Sequence, residues 1–66
     1  MKEYLSKIKI NEFDSVVIFA EGENEVETIE LIWTSENDIY PFITVYFEDG
    51  TERTYLGNNV IWYEKQ

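Results

Sequence analysis

Residues Glu21 to Trp33 read EGENEVETIELIW, and the course of that stretch decides the fold. Its first half places Glu21, Glu23, Glu25 and Glu27 at every second position, and its second half sets Ile29, Leu31 and Trp33 against Thr28, Glu30 and Ile32. In a strand, side chains two apart share a face and lie about 6.6 Å from one another. As one extended segment, the stretch begins as a row of carboxylates and ends as the buried edge of a core strand. The competing reading is a helix from Asn24 to Trp33, with Asn24 as N-cap and Glu25 and Glu27 in an acid-favouring first turn. Val26, Thr28, Ile29, Ile32, Trp33 and Thr34 are β-formers and decide for the strand. Glu21-Gly22-Glu23-Asn24 is the natural turn into it, because Gly22 takes positive φ freely and Asn24 tolerates it.

Upstream, Ser15 to Ala20 (SVVIFA) is a continuous apolar run of strand length, which predicts a central strand buried on both faces. Tyr4 to Ile10 alternates Lys7 and Lys9 with Ile8 and Ile10, a period of two, although Lys2 to Ser6 is compatible with a helical first turn. Asn11 to Asp14 carries turn formers around Phe13 and reverses the chain. Downstream, Thr34 to Pro41 is a polar connection, and Pro41 suits the start of a strand because it donates no ladder bond. FITVYFEDGTERTYL, residues 42–56, has Asp49-Gly50 between two alternating runs and is a hairpin. A two-residue loop pairs Phe47 with Glu52, Tyr46 with Arg53 and Ile43 with Leu56. A three-residue loop with Gly50 in a bulge pairs Tyr46 with Glu52 and Ile43 with Tyr55. The first gives the more apolar face and a cation–π contact between Arg53 and Tyr46, and is the register expected. Gly57-Asn58-Asn59 then breaks the chain before a short last strand, Val60 to Tyr63.

These elements predict a single all-β domain over 1–66: a small five- to six-stranded antiparallel meander or SH3-like barrel. The alternative is an α+β form with one short helix. Closure into a barrel removes exposed edges. A chain of 66 residues buries only about 60% of its unfolded surface, so its core must be rich in large side chains. Five Tyr, four Phe and two Trp meet that need.

The charge is uneven as well as negative. Fourteen Asp and Glu face five Lys and Arg, and between Ile10 and Glu52 there are twelve acids and no base. A field of one sign repels nucleic acid and anionic membranes and attracts basic proteins. Phe, Ile, Lys, Asn and Tyr supply 26 of the 66 residues, with one Ala, one Arg and one Pro, a composition of AT-rich codons that points to a low-GC bacterium or its phage. Lys2, Lys7 and Lys9 are not followed by the apolar run of a signal peptide, so the cytoplasm of a bacterial host cell is the expected location.

Catalysis has little to stand on. With neither histidine nor cysteine, the usual general base, thiol nucleophile and strongest metal ligands are missing. There is no Ser-x-x-Lys, Gly-rich phosphate loop or twelve-residue calcium loop, so no enzyme activity, cofactor or metal is expected. Direct nucleic-acid binding needs cations that this surface lacks. The reverse is favoured: carboxylates presented where DNA presents phosphates, to the Lys and Arg of a DNA- or RNA-handling enzyme. The expected partner-binding residues are Glu21, Glu23, Glu25, Glu27, Glu30, Glu36 and Asp38. In size and charge the chain resembles the small acidic β-rich proteins of phages and mobile elements that block uracil-DNA glycosylase, restriction enzymes or CRISPR nucleases. That resemblance implies a DNA-mimic inhibitor, and it assigns no residue. Two other readings compete: an SH3-like adaptor contacting a basic peptide through Tyr40, Tyr46, Tyr55 and Trp62, and a homodimer or small structural subunit of a larger assembly.

Overall fold

The computed structural model describes residues 2–34 and 39–66. Six antiparallel strands follow one another: β1 (Lys2–Glu12), β2 (Ser15–Ala20), β3 (Val26–Ile32), β4 (Phe42–Phe47), β5 (Glu52–Leu56) and β6 (Val60–Lys65). One 3-10 turn, Gly57–Asn59, joins β5 to β6, and the described residues contain no α-helix, which removes the α+β alternative. The sheet order is β2-β1-β3-β4-β5, with β6 also paired to β1. Among the described residues β5 and β6 do not pair, so the sheet curls into a half-barrel rather than closing.

The curl originates in β1. Its first residues pair with β3 (Leu5 opposite Ile29), and its last pair with β2 (Lys7 opposite Ala20 through Glu12 opposite Ser15). Its other side carries β6, with a register shift between Leu5 and Lys7. Ser6 sits in that shift and donates its hydroxyl to the Glu64 carbonyl (3.2 Å). An extra residue in one strand bends it and rephases its side chains. Leu5, Ile8 and Ile10 consequently all point into the core although Leu5 and Ile8 are three apart. The same occurs in β3, where a shift between Val26 and Thr28 leaves Glu27 unpaired and turns both Val26 and Ile29 inward. From Thr28 onward the predicted alternation holds. Ile29 and Leu31 are buried and Trp33 packs on the core, while Thr28, Glu30 and Ile32 take the opposite face.

The core is aliphatic. Leu5, Ile8, Ile10, Val26, Ile29, Leu31, Ile43 and Val45 are sealed from solvent, and Val17, Phe19, Trp33, Phe47, Tyr55 and Val60 pack round them. Phe19 meets Phe47 edge-on at 6.0 Å and Tyr55 at 6.0 Å, which ties β2 across the curl to the β4–β5 hairpin.

Two expectations about strands are corrected. The run SVVIFA is an edge strand, not a central one, and Val16 and Ile18 are half exposed. The central strand is β1, whose alternation of Lys7 and Lys9 with isoleucines disguised it: those lysines lie along the outer face while their backbones pair on both sides. The hairpin takes the other register, with Tyr46 opposite Glu52 and Ile43 opposite Tyr55. The reason is local. Gly50 lies at φ 89°, Asp49 Oδ1 accepts from the Thr51 amide (2.9 Å) and hydroxyl (2.6 Å), and Phe47 donates to the Thr51 carbonyl (2.9 Å). That three-residue loop satisfies its own polar groups, which outweighs the more apolar face of the tighter turn. Arg53 then stands over Phe47, 5.8 Å from the ring centre, rather than over Tyr46.

The β1–β2 turn contains a strained residue. Phe13 lies at φ 54°, at the first loop position between the paired Glu12 and Ser15, and is 94% exposed. Positive φ at that position alone is the type II′ pattern, which prefers glycine. Because Phe13 buries nothing, Phe13→Gly relieves strain without losing packing. Set against the extra flexibility of glycine in the unfolded chain, the expected gain is about 0.5–1 kcal/mol. A thermal melt should rise by roughly 2–8 °C.

Candidate functional site

The acidic row does not form one strand face. Ala20 opposite Lys7 and the Glu21 N–H bonded to the Ser6 carbonyl (2.9 Å) keep one register, and Ile29 opposite Leu5 begins the next. Residues 22–28 are therefore looped out between neighbouring positions of β1. The loop is a compact double turn, with Gly22 donating to Val26 (2.9 Å), Glu23 to Ala20 (3.1 Å) and Val26 to Glu23 (3.0 Å). Gly22, Asn24 and Glu25 take φ of 81°, 51° and 68°. Left-handed residues in succession scatter side chains that a strand would align. This relieves the repulsion that carboxylates two apart on one face would suffer.

What the fold brings together instead is two acidic loops. The Glu48 amide donates to the Glu25 carbonyl (2.8 Å), and Val26 pairs with Phe47. Exposed Glu21, Glu23, Glu25 and Glu27 therefore share one end of the sheet with exposed Glu48, Asp49 and Glu52. The last three were missed from the sequence because they lie more than twenty residues downstream, and only the β3–β4 pairing joins the two sets. Arg53 lines a hollow at this end with Asn24, Glu25, Asp49 and Thr51 and rests on Phe47. The Gln66 side-chain amide donates to the Glu21 carboxylate.

Glu30 leaves the predicted contact set. Its side chain is 7% exposed, on the outer face opposite Tyr4 and Thr44, and it pairs with Lys2 at 3.1 Å. Its hydrogen bond holds the Lys2 ammonium above its usual pKa and is the first cause of the raised Tyr46 phenol, ahead of burial. Glu30 is thus a structural anion that pins the start of β1 to the middle of the sheet. Glu36 and Asp38 lie outside the described residues.

The four aromatics of the adaptor reading do not converge. Tyr46 is on the outer face beside Glu30, whereas Tyr55 is turned inward against Phe19 and donates its hydroxyl to Glu12 (3.2 Å). Tyr40 is exposed just before β4. Trp62 borders an apolar cleft of about 220 Å³ with Leu31, Trp33, Pro41, Val60 and Tyr63. Among the described residues no group of three or more acids is placed to hold a metal ion, and no helix is long and apolar enough to cross a membrane.

Thr51 holds the Asp49 carboxyl below its usual pKa, through its hydroxyl first and its amide second. A depressed folded pKa adds stability above the unfolded value, and that stability is lost as pH falls through the folded one. An NMR titration should place Asp49 below an ordinary aspartate. The Asp49→Asn variant should lose this part of the acid sensitivity.

Comparisons with protein-family models, curated proteins and solved structures return no match. Fold and surface together define a small all-β domain with one strongly acidic end.

Proposed function

We propose that the protein acts by binding another protein, with the acidic end as the contact. The partner is a DNA- or RNA-handling protein whose basic surface this end occupies in place of nucleic acid, which makes the chain an inhibitor or modulator. The observation that carries the reading is the joining of the two loops, which gathers Glu21, Glu23, Glu25, Glu27, Glu48, Asp49 and Glu52 at one end. A row on a single strand would present one line of charge. Two loops present a broader array, closer to the spread of phosphates that a nucleic-acid groove is built to meet. Backbone hydrogen bonds hold both loops, so little ordering entropy is lost on binding. The adaptor reading is weakened by the scatter of its four aromatics over two faces.

The test is a pull-down from nuclease-treated low-GC bacterial lysate, eluted in salt steps. The expected result is a nucleic-acid-handling protein released at moderate salt, because exposed charge pairs are screened. It should not be retained by the Glu21/Glu23/Glu25/Glu27→Gln variant. A partner that survives high salt and ignores the four substitutions sinks the reading.

A further inference from the structure

Asp49 is the one Asp or Asn in the chain that precedes a glycine. In such a pair the aspartate can react with its own backbone. The amide nitrogen of Gly50 attacks Cγ of Asp49, so that a C–N bond forms and a Cγ–O bond breaks. One oxygen of the neutral carboxyl leaves as water, carrying its own proton and that of the amide, and a cyclic succinimide remains. Water then opens the ring at either carbonyl. Attack at Cγ returns aspartate, whereas attack at the Asp49 backbone carbonyl leaves isoaspartate, with the main chain running through the side-chain carbon. Water is the only other reactant. Glycine is the permissive follower, because it has no Cβ to crowd the attacking nitrogen.

The fold leaves this pair open to solvent yet ties up both reacting groups. Asp49, Gly50 and Thr51 are exposed, and a Cβ added at Gly50 would meet nothing within 4 Å, so the site has no steric shield. The carboxylate is held by Thr51: Oδ1 accepts from its amide at 2.9 Å and from its hydroxyl at 2.6 Å. The nitrogen is held by Phe47, whose carbonyl accepts the Gly50 N–H at 3.0 Å. Both hydrogen bonds from Thr51 favour the carboxylate over the neutral acid that must lose water. We propose that Asp49–Gly50 is a self-modification site, and that Thr51 keeps it unreacted in the folded chain. The consequence of release is built into the hairpin. Isoaspartate keeps one free carboxylate, so the charge of the loop is unchanged, but it adds one carbon to a main chain pinned between Phe47 and Thr51. It also turns the carboxyl that Thr51 held into a backbone amide. The loop cannot then re-form with the same caps, so the change persists. The site is independent of what the acidic end binds.

The test follows isoaspartate at position 49 during long incubation in neutral buffer. It is read by labelling with an isoaspartyl methyltransferase and by resistance to an aspartate-specific protease at that position. The chain unfolded in urea should accumulate isoaspartate readily, and the folded chain about a thousandfold or more slowly. Thr51→Val keeps the shape and the amide but removes the hydroxyl, and Thr51 is exposed, so the core of the variant stays intact. In the folded variant the rate should rise by roughly 10- to 150-fold, the worth of one hydrogen bond to a charged group. Thr51→Ser, which retains the hydroxyl, should stay close to the unsubstituted chain. Losing a hydrogen bond also lowers stability, so the unsubstituted chain is run beside Thr51→Val in enough urea to match its unfolded fraction. A variant still faster at matched unfolded fraction supports the proposal. Equal rates there overturn it, because the reaction would then run through global unfolding and Thr51 would protect nothing. So does an unfolded chain that forms no isoaspartate at position 49, or a folded chain that reacts as fast as the unfolded one.

Discussion

Gly57→Ala is expected to remove about 2–3 kcal/mol of stability, although Gly57 adopts an unremarkable backbone conformation. The demand on it is spatial. A Cβ there would sit 2.6 Å from Pro41 Cδ and 2.7 Å from the Pro41 carbonyl oxygen. Neither can retreat easily, since the proline ring is rigid and its carbonyl accepts the Gly57 N–H at 2.7 Å. That hydrogen bond links the entry of β4 to the 3-10 turn, and both border the apolar cleft with Trp33 and Trp62. For a domain whose total stability is about 3–10 kcal/mol, the loss should lower the melting temperature by roughly 10 °C or more. Tryptophan emission should report it, because both tryptophans line the cleft. Gly50→Ala is the comparison. Gly50 has open space around it but φ of 89°, so it should lose only the left-handed penalty of about 1 kcal/mol. Equal losses at both positions would mean that the close approach to Pro41 does not matter.

Gly57 also marks where sequence reading stops. A glycine before two asparagines signals a break, and a break is what it makes, but nothing in the sequence places Pro41 against it. The same limit recurs elsewhere. The class of the fold was legible because it rests on period and turn chemistry: Ile29/Leu31/Trp33 against Thr28/Glu30/Ile32, and Asp49-Gly50 between alternating runs. The rank of the strands was not legible. Apolar content made SVVIFA look central, whereas centrality in this sheet comes from the length and bend of β1. Bulges at Ser6 and Glu27 are invisible to a strict period of two. One of them re-aims the last member of the glutamate row. The hairpin register depends on side-chain caps at Asp49, whereas the expected register rested on the apolar face and an Arg53–Tyr46 contact.

Glu30 gives a sharper lesson about the acidic site. In the sequence it is one more glutamate near the row, indistinguishable from Glu27. Its position opposite both Tyr4 and Thr44 gives it neighbours on both flanks, and Lys2 covers it. A buried carboxylate survives only with such partners, so Glu30 serves the fold and is unavailable to a ligand. Glu48, Asp49 and Glu52 make the converse point, since hairpin signals drew attention to their loop as structure. Only the pairing of Val26 with Phe47 turns them into neighbours of Glu25. Local pattern thus set Ile29, Leu31 and Trp33 on the core side of β3, and failed for the burial of Glu30, for the exposure of Val16 and Ile18, and where two loops meet.

Replacing Glu21, Glu23, Glu25 and Glu27 by glutamine should weaken binding to the basic partner by roughly 4- to 700-fold. The range follows from about 0.2–1 kcal/mol for each exposed charge pair, taken over four pairs. Stability should hold or rise slightly, because neutral side chains remove repulsion within one loop. A melt on the same samples therefore separates lost contact from lost fold. Net charge alone could produce part of the effect by long-range attraction, and position must be tested against it. Glu48→Gln with Glu52→Gln removes two charges from the acidic end, while Asp14→Asn with Glu64→Gln removes two from β1–β2 and β6. Both doubles change the chain by the same amount. A contact at the acidic end predicts that the first double speeds dissociation and raises Kd far more, whereas the second mainly lowers the association rate. Equal losses in the two doubles would show that the partner senses the overall field, and the acidic end would no longer be distinguished from the rest of an anionic surface.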